Sequence, residues 1–298
     1  MVVKEKTKLV SLGYVRTDLA AESDFCGKNG VTVKEYEISG FSVHEILSES
    51  DSDELRMGRY VTLTLGPIWL RDRETGDNAK DTVSKLISSF AGELVDKERV
   101  SVLTVCLGNR RITSDAVGPL SADRLIVTRH LKSENGALFS SLGGKELSVV
   151  TPGVMGETGI ETFEIIRAAV EAVDPTLVIC IDALAARNVN RLATTVQLTD
   201  TGISPGSGVG NHRKEISRKT LGVPVISIGV PTVVQSSTLV FDALEKAGMD
   251  NVPRELLNIL ENEKSFFVTP KNADVAVATQ AEIIAGAINK TFLGFYEL

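Results

Sequence analysis

Apolar positions along this chain fall into two regimes that meet near residue 81. Beyond it the pattern is regular. Val83, Leu86, Ile87, Phe90 and Leu94 share one helical face. The run SVLTVCLG (101–108) follows, continuously apolar as a parallel strand is when both its faces are covered. LSVVTP (147–152), LVICIDAL (177–184), TTVQLTD (194–200) and PVISIGVP (224–231) are runs of the same type. Helical stretches separate several of them. Phe163, Ile166, Val170 and Val173 share a face, with Thr158 and Glu161 predicting a capping box at that helix's start. A last long helix, roughly Ala273–Lys290, turns Val277, Ala281, Ile284 and Ile288 inward. Strands alternating with amphipathic helices predict an α/β fold, a layered and mostly parallel sheet flanked by helices.

Before residue 81 the signal is weaker. Val31–Ile38 alternates with a period of two, Arg59–Leu65 is rich in β-branched residues, and Ser48–Glu54 (SESDSDE) is a solvated acidic loop. These stretches predict a β-containing N-terminal extension over 19–80, joined to a core over 81–298 within a single domain.

Composition narrows the partners. The net charge of −7 and pI near 5.2 disfavour a general nucleic-acid or anionic-membrane surface. No segment reaches transmembrane length and the first residues, MVVKEKTKLV, lack a signal-peptide core. Three cysteines without a CxxC pair (Cys26, Cys106 and Cys180) fit a reducing compartment. A soluble, cytoplasmic protein is expected.

Chemistry in open α/β sheets gathers outside the carboxyl ends of the strands. Asp182 stands at such a place, and Asp115 lies in the loop LGNRRITSDAVGP (107–119) leaving the first core strand. Two carboxylates brought together can share one proton, the ionised one activating water while the neutral one protonates the carbonyl oxygen or leaving amine. The plainer alternatives are a helix N-cap for Asp115, with a helix starting at residue 116, and a structural acid for Asp182. The loop GSGVGN (206–211) can offer N–H groups to an anion or can be a simple tight turn; it is no P-loop, and Ser207 sits in no G-x-S-x-G elbow. No histidine or cysteine cluster has metal-ligand spacing, so no metal and no cofactor are expected.

Taken together, VRTDLA (15–20), GRYVTL (58–63), SDAVGP (114–119), PGVMGETGIET (152–162), IDALAAR (181–187), GISPGSGVGNHRKEIS (202–217) and VTPKNADV (268–275) resemble the germination (spore) protease family in order and spacing. That resemblance implies an intracellular endopeptidase of the forespore and spore core, homotetrameric, with small acid-soluble spore proteins as its substrates. It implies an α/β fold related to phosphorylases and hydrogenase-maturation enzymes, and an aspartic-type mechanism carried by Asp115 and Asp182. It also gives TDLAAES (17–23) a meaning. Family substrates are cut within an acidic–apolar–Ala–small–acidic stretch that the zymogen's own processing site mimics. The cut is therefore expected between Asp18 and Leu19, making 1–18 a propeptide and 19–298 the peptidase domain. Arg110, Arg111 and Arg187 are candidates for recognising the acidic substrate positions, and Ser207 is a further candidate for substrate binding. Cys106 stands where the family pattern has glycine. The rival classes are a metal-dependent hydrogenase-maturation-type peptidase, a catalytically silent α/β binding protein, and a phosphorylase-like enzyme.

Overall fold

The computed structural model describes residues 17–23, 25, 28–52, 55–95, 99–206, 214–249, 256, 259 and 266–296. The predicted α/β class is what they form. Strands β1 (Val31–Ile38), β2 (Phe41–Ser48), β3 (Gly58–Thr64), β4 (Ser101–Cys106), β5 (Glu146–Val150), β6 (Leu177–Ala186), β7 (Thr195–Thr199) and β8 (Val225–Gln235) make one sheet in the order β1-β2-β3-β7-β8-β6-β4-β5. A short β9 (Phe267–Val268) pairs with the far end of β8.

Only β5, β4, β6 and β8 run parallel; β7 and the N-terminal strands join antiparallel. TTVQLTD is thus a buried strand, as its apolar run predicts, but an antiparallel one that bridges the extension to the core. Strand β2 has no counterpart among the predicted elements. It buries Phe41 and Val43 on one face and Ile46 and Ser48 on the other, so no single alternation runs through it. The two-residue turn joining it to β1 is Ser39–Gly40, both at positive φ (52° and 82°), the geometry that tight hairpins require.

Helix α1 (Arg73–Leu94) begins where Asp72 accepts a hydrogen bond from the Thr75 N–H at 2.8 Å. Its first turns are polar and carry no apolar period, which is why the pattern emerges only near residue 81. A boundary at 80/81 falls inside this helix. Shorter helices follow: α2 (Val117–Ala122), α3 (Leu131–Glu134), α4 (Gly136–Ser141) and α5 (Met155–Thr158). Then come α6 (Thr162–Val173), α7 (Arg218–Leu221), α8 (Ser236–Lys246) and the long α9 (Ala273–Leu293). The predicted Thr158–Glu161 capping box does not form. Gly159, at φ 71°, closes α5 instead, the Thr158 hydroxyl bonds the Ile160 main chain, and Glu161 caps α6 without a side-chain bond.

The two faces of the sheet are covered differently. On one, α1, α2 and α9 pack Phe90, Val117, Ile284 and Ile288 against Val102, Ile179, Val196 and Ile228. On the other, α6 sets Phe163, Ile166 and Val170 against Leu103, Val105 and Val178. Over the β8–β7–β3 part of that second face the cover is different: a short helical turn, Ala20–Glu22, and its flanking residues in segment 17–23, with Leu239 of α8 at the far end of β8. None of the helices among the described residues is long and apolar enough to cross a membrane.

Candidate active site

Strand β6 runs past its neighbour. Cys106 is the last residue of β4, opposite Ile181, and the Leu107 N–H closes the ladder on the Ile181 carbonyl. From Asp182 onward one edge of β6 has lost its partner strand, and bare N–H and C=O groups must be satisfied otherwise. Three carboxylates do this at alternate residues. The Ala183 N–H donates to Asp182 Oδ1 at 2.9 Å, the Ala185 N–H to Asp18 Oδ2 at 2.8 Å, and the Arg187 N–H to Glu22 Oε2 at 2.6 Å. The Asp18 N–H returns a bond to the Ala185 carbonyl at 2.9 Å, so residue 18 is tied to the β6 edge by its main chain and its side chain together.

Leu19, Ala20 and Glu22 each have a seat of their own. Leu19 is 1% exposed, in a pocket of Leu184, Ala186, Leu192 and Val234. Ala20 fits beside Phe25, Ile46, Leu55 and Tyr60. The Glu22 side chain is only 4% exposed, yet its charge is fully met. It accepts from the N–H groups of Arg187 and Asn188, lies 3.5 Å from Arg191 Nε, and is also bonded by the Thr17 hydroxyl. Gln197 spans the middle: its Nε2 donates to the Asp18 carbonyl at 3.0 Å and its Oε1 accepts the Ala20 N–H at 2.8 Å.

The segment forms one wall of a cleft of about 430 Å³ floored by Tyr60, Asp182, Gln197, Thr199, Ser227 and Gly229. Strand register explains the floor. Asp182 stands opposite Gly229, which stands opposite Gln197, so the three share a row and a face. Gly229 keeps that row open. A Cβ there would come within 2.3 Å of the Leu184 side chain, which also walls the Leu19 pocket. Asp182 is 5% exposed.

Asp115 ends a helical turn (Thr113–Asp115) beyond β4 and caps no helix; α2 starts at Val117 behind Ala116, without a side-chain cap. Its Oδ2 instead accepts the Asn109 N–H at 2.9 Å, folding the loop 109–115 back on itself. Gly108, at φ 109°, permits this closure, since a Cβ would sit 2.1 Å from the Asp115 carbonyl oxygen. Thr232 on β8 donates to the Ser114 carbonyl at 2.5 Å, and the turn comes within 8 Å, Cα to Cα, of β6 and β8. Asp182 therefore lies inside β6, just past the level where β4 ends, rather than at the end of its own strand, and Asp115 lies in the loop leaving β4; only Asp182 lines the cleft.

The three arginines are engaged within the chain. Arg110 grips Asp123 with two bonds of 2.6 and 2.8 Å. Arg111 lies 3.6 Å from Glu157, and Arg187 pairs with Asp242 and Glu245. Arg187 meets Glu22 through its main chain, and the guanidinium beside that acid belongs to Arg191. Ser207 and loop residues 207–211 lie outside the described residues, as do 1–16 of the expected propeptide and Cys26. Burial pushes the Cys106 thiol up to about 12, and Cys180 is raised as well, so neither supplies a thiolate near neutral pH. Among the described residues no group of three or more His, Cys, Asp or Glu is placed to hold a metal ion.

Arg191 and Gln197 were not among the residues expected from the sequence. Gln197 left a trace, a carboxamide amid the apolar strand TVQLT; Arg191 left none, because its role depends on a segment distant in sequence.

A buried acid inside a parallel strand, roofed by a segment of the same chain whose residues 20–22 form a helical turn, is the site that this α/β fold carries. Known proteins make the class specific. The model of the germination protease family matches residues 14–247. Curated germination proteases are similar over nearly the whole chain: that of Clostridium acetobutylicum is 38% identical, covering 93% of this chain and 95% of the relative. That of Priestia megaterium is 34% identical over 96% and 95%, in an alignment of 353 residues that must open gaps in a chain of 298. The Bacillus cereus protein is 42% identical over 78% of this chain and 66% of its own. A [NiFe] hydrogenase maturation protease from Thermococcus kodakarensis superposes with a TM-score of 0.38 at 15% identity, covering 68% of this chain and 98% of that one, too slight a likeness to argue from.

This chain belongs to the germination protease family, and it is a peptidase.

Proposed function

We propose that this chain is an endopeptidase that opens the degradation of small acid-soluble spore proteins at germination, made as a zymogen that cuts itself between Asp18 and Leu19. One observation carries the proposal. The acidic–Leu–Ala–Ala–Glu stretch lines the cleft beside Asp182, with the side chains of Asp18, Leu19, Ala20 and Glu22 each seated as a substrate's would be. While intact it fills the site that a substrate needs, which would keep the chain silent until processing. Substrates would then take the same seats. Their two acids would be read by the N–H groups of residues 185, 187 and 188 together with Arg191, the apolar residue by the Leu19 pocket, and the small one by the walls around Ala20. Arg111, 85% exposed, is the arginine of the 107–119 loop best able to reach acidic positions beyond the segment.

Asp182 and Asp115 are the proposed acid–base pair. The ionised member draws a proton from water as the water attacks the Asp18 carbonyl carbon, and the neutral member gives a proton to the Leu19 nitrogen as the C–N bond breaks. A homotetramer working in the forespore and spore core is part of the same proposal.

The test is intact-mass analysis of the full chain after mildly acidic incubation, wild type beside Asp115→Asn and Asp182→Asn. Loss of residues 1–18 from wild type is expected, with a rate about 10²–10⁴-fold lower in each variant. Equal processing in all three would remove the pair from the mechanism.

A further inference from the structure

Gln197 is the buried polar group that the aspartate mechanism leaves unused. It sits on β7 between two antiparallel neighbours, opposite Thr62 on one side and Gly229 on the other, and is 6% exposed. Burying a carboxamide costs about 1–3 kcal/mol unless it is hydrogen-bonded. Among the described residues both of its partners belong to segment 17–23: the Asp18 carbonyl and the Ala20 N–H. These two bonds also fix which end of the carboxamide is which, since the reverse orientation would set N–H against N–H and oxygen against oxygen.

The Asp18 carbonyl belongs to the bond assigned as scissile, whose N–H on Leu19 is held by Thr17 Oγ1 at 3.0 Å. Gly229 puts no side chain between Gln197 and Asp182, whose backbones stand two strand spacings, about 10 Å, apart. That gap accommodates a peptide bond and an attacking water.

We propose that Gln197 is a catalytic group, donating from Nε2 to the scissile carbonyl oxygen and stabilising the negative charge that gathers there. The assignment rests on the proposed function, in which Asp18–Leu19 is the bond cut. Water oxygen adds to the Asp18 carbonyl carbon and its proton passes to the ionised carboxylate. The carbonyl oxygen takes up negative charge against the Gln197 N–H. As the C–N bond breaks, the oxygen's charge returns to the carbonyl, the Leu19 nitrogen accepts a proton from the neutral carboxyl, and the pair ends with one proton as it began. The donor is rigid, being fixed on a central strand, so little reorganisation is needed at the moment of reaction.

The experiment uses the processed enzyme and a peptide spanning Thr17–Ser23, with kcat and KM measured separately. Gln197→Met keeps length and removes both bonds; a depsipeptide with an ester oxygen in place of the Ala20 nitrogen removes only the docking bond. We expect Gln197→Met to lose about 10²–10³-fold in kcat, and the depsipeptide on wild type to raise KM with kcat nearly unchanged. Gln197→Glu guards against misfolding of the first variant. Its kcat, relative to wild type at each pH, should recover as acidification protonates the introduced carboxyl and restores a donor. A rise in KM alone for Gln197→Met, or a flat pH ratio for Gln197→Glu, overturns the inference while leaving the peptidase intact. Failure of wild type to cut the peptide at Asp18–Leu19 overturns the proposed function itself.

Discussion

One face of the sheet is closed in two ways. Over β4 and β6, α6 lays Phe163, Ile166 and Val170 on an apolar floor, a dry contact with nothing to exchange. Over β8 and β7, segment 17–23 closes the same face through Leu19 and Ala20 and a row of hydrogen bonds to Gln197, Ala185, Arg187 and Asn188. Apolar area holds a lid permanently. Hydrogen bonds to a strand edge hold a peptide of defined sequence that another peptide can replace. The difference between scaffold and site therefore lies less in where each sits than in which kind of contact closes it.

The contrast breaks first at α6. Phe163→Ala should cost about 3–5 kcal/mol of global stability in denaturant unfolding. Leu19→Ala should cost well under that, because its loss frees a segment rather than opening the core. Equal losses would mean that the segment is part of the scaffold.

A second substitution sharpens the polar side. Glu22→Gln keeps the shape of a buried side chain but removes its charge beside Arg191 and two main-chain N–H groups, which should weaken docking by about 1.5–3 kcal/mol. Protease sensitivity of the N-terminal segment would rise while the melting temperature stayed put. An unchanged digestion pattern would show that the carboxylate is not what anchors the segment.

Gly229→Ala tests the floor between them. The added methyl must displace Leu184, at an overpacking cost of about 1–3 kcal/mol. It should also spoil the Leu19 seat, so processing should slow beyond what stability explains. A crystal structure of the variant with Leu184 unmoved would contradict this.

The smallest effect concerns the loop that carries Asp115. Hydrogen bonding from Arg110 holds the Asp123 carboxyl below its usual value. A depressed folded-state pKa contributes stability above the unfolded value, about 3.9, and that contribution is lost as pH falls through the folded one. Both side chains are about half exposed, at 53% and 49%, so Asp123→Asn should cost less than about 1 kcal/mol at pH 7. The gap from wild type should close in acid; a gap that persists at pH 2 would locate the effect elsewhere.

Legibility followed the locality of each signal. Strands β4, β6 and β8 and helices α6 and α9 were readable because burial on both faces, or on one helical stripe, writes an unbroken pattern into consecutive residues. Strand β2 was not, because the face it buries changes midway, Phe41 and Val43 joining the core that α1 covers and Ile46 joining Ala20 and Phe25. The parallel reading of β7 failed for a related reason: an apolar run reports burial and says nothing of direction. Among site residues, Asp115 lies in the loop leaving β4 as the pattern placed it, whereas Asp182, read as the end of its strand, lies inside β6 beside the end of β4; the roles expected of both came from family likeness. Arg187 was the natural candidate for an acid, yet its guanidinium turns to Asp242 and Glu245 and only its N–H meets Glu22.

By itself, then, the amino-acid sequence determined the α/β class, the burial of the core strands, the family, and a short stretch at 17–23 shaped like a cleavage site. Tertiary structure alone decided that this stretch lies over Asp182, that Gln197 holds the Asp18 carbonyl, and that Glu22 meets Arg191. The physical reason is sequence distance. Residues 18 and 185 become neighbours only because β6 outruns β4 and leaves an edge of unsatisfied N–H groups, and no local pattern records which distant carboxylates will satisfy them.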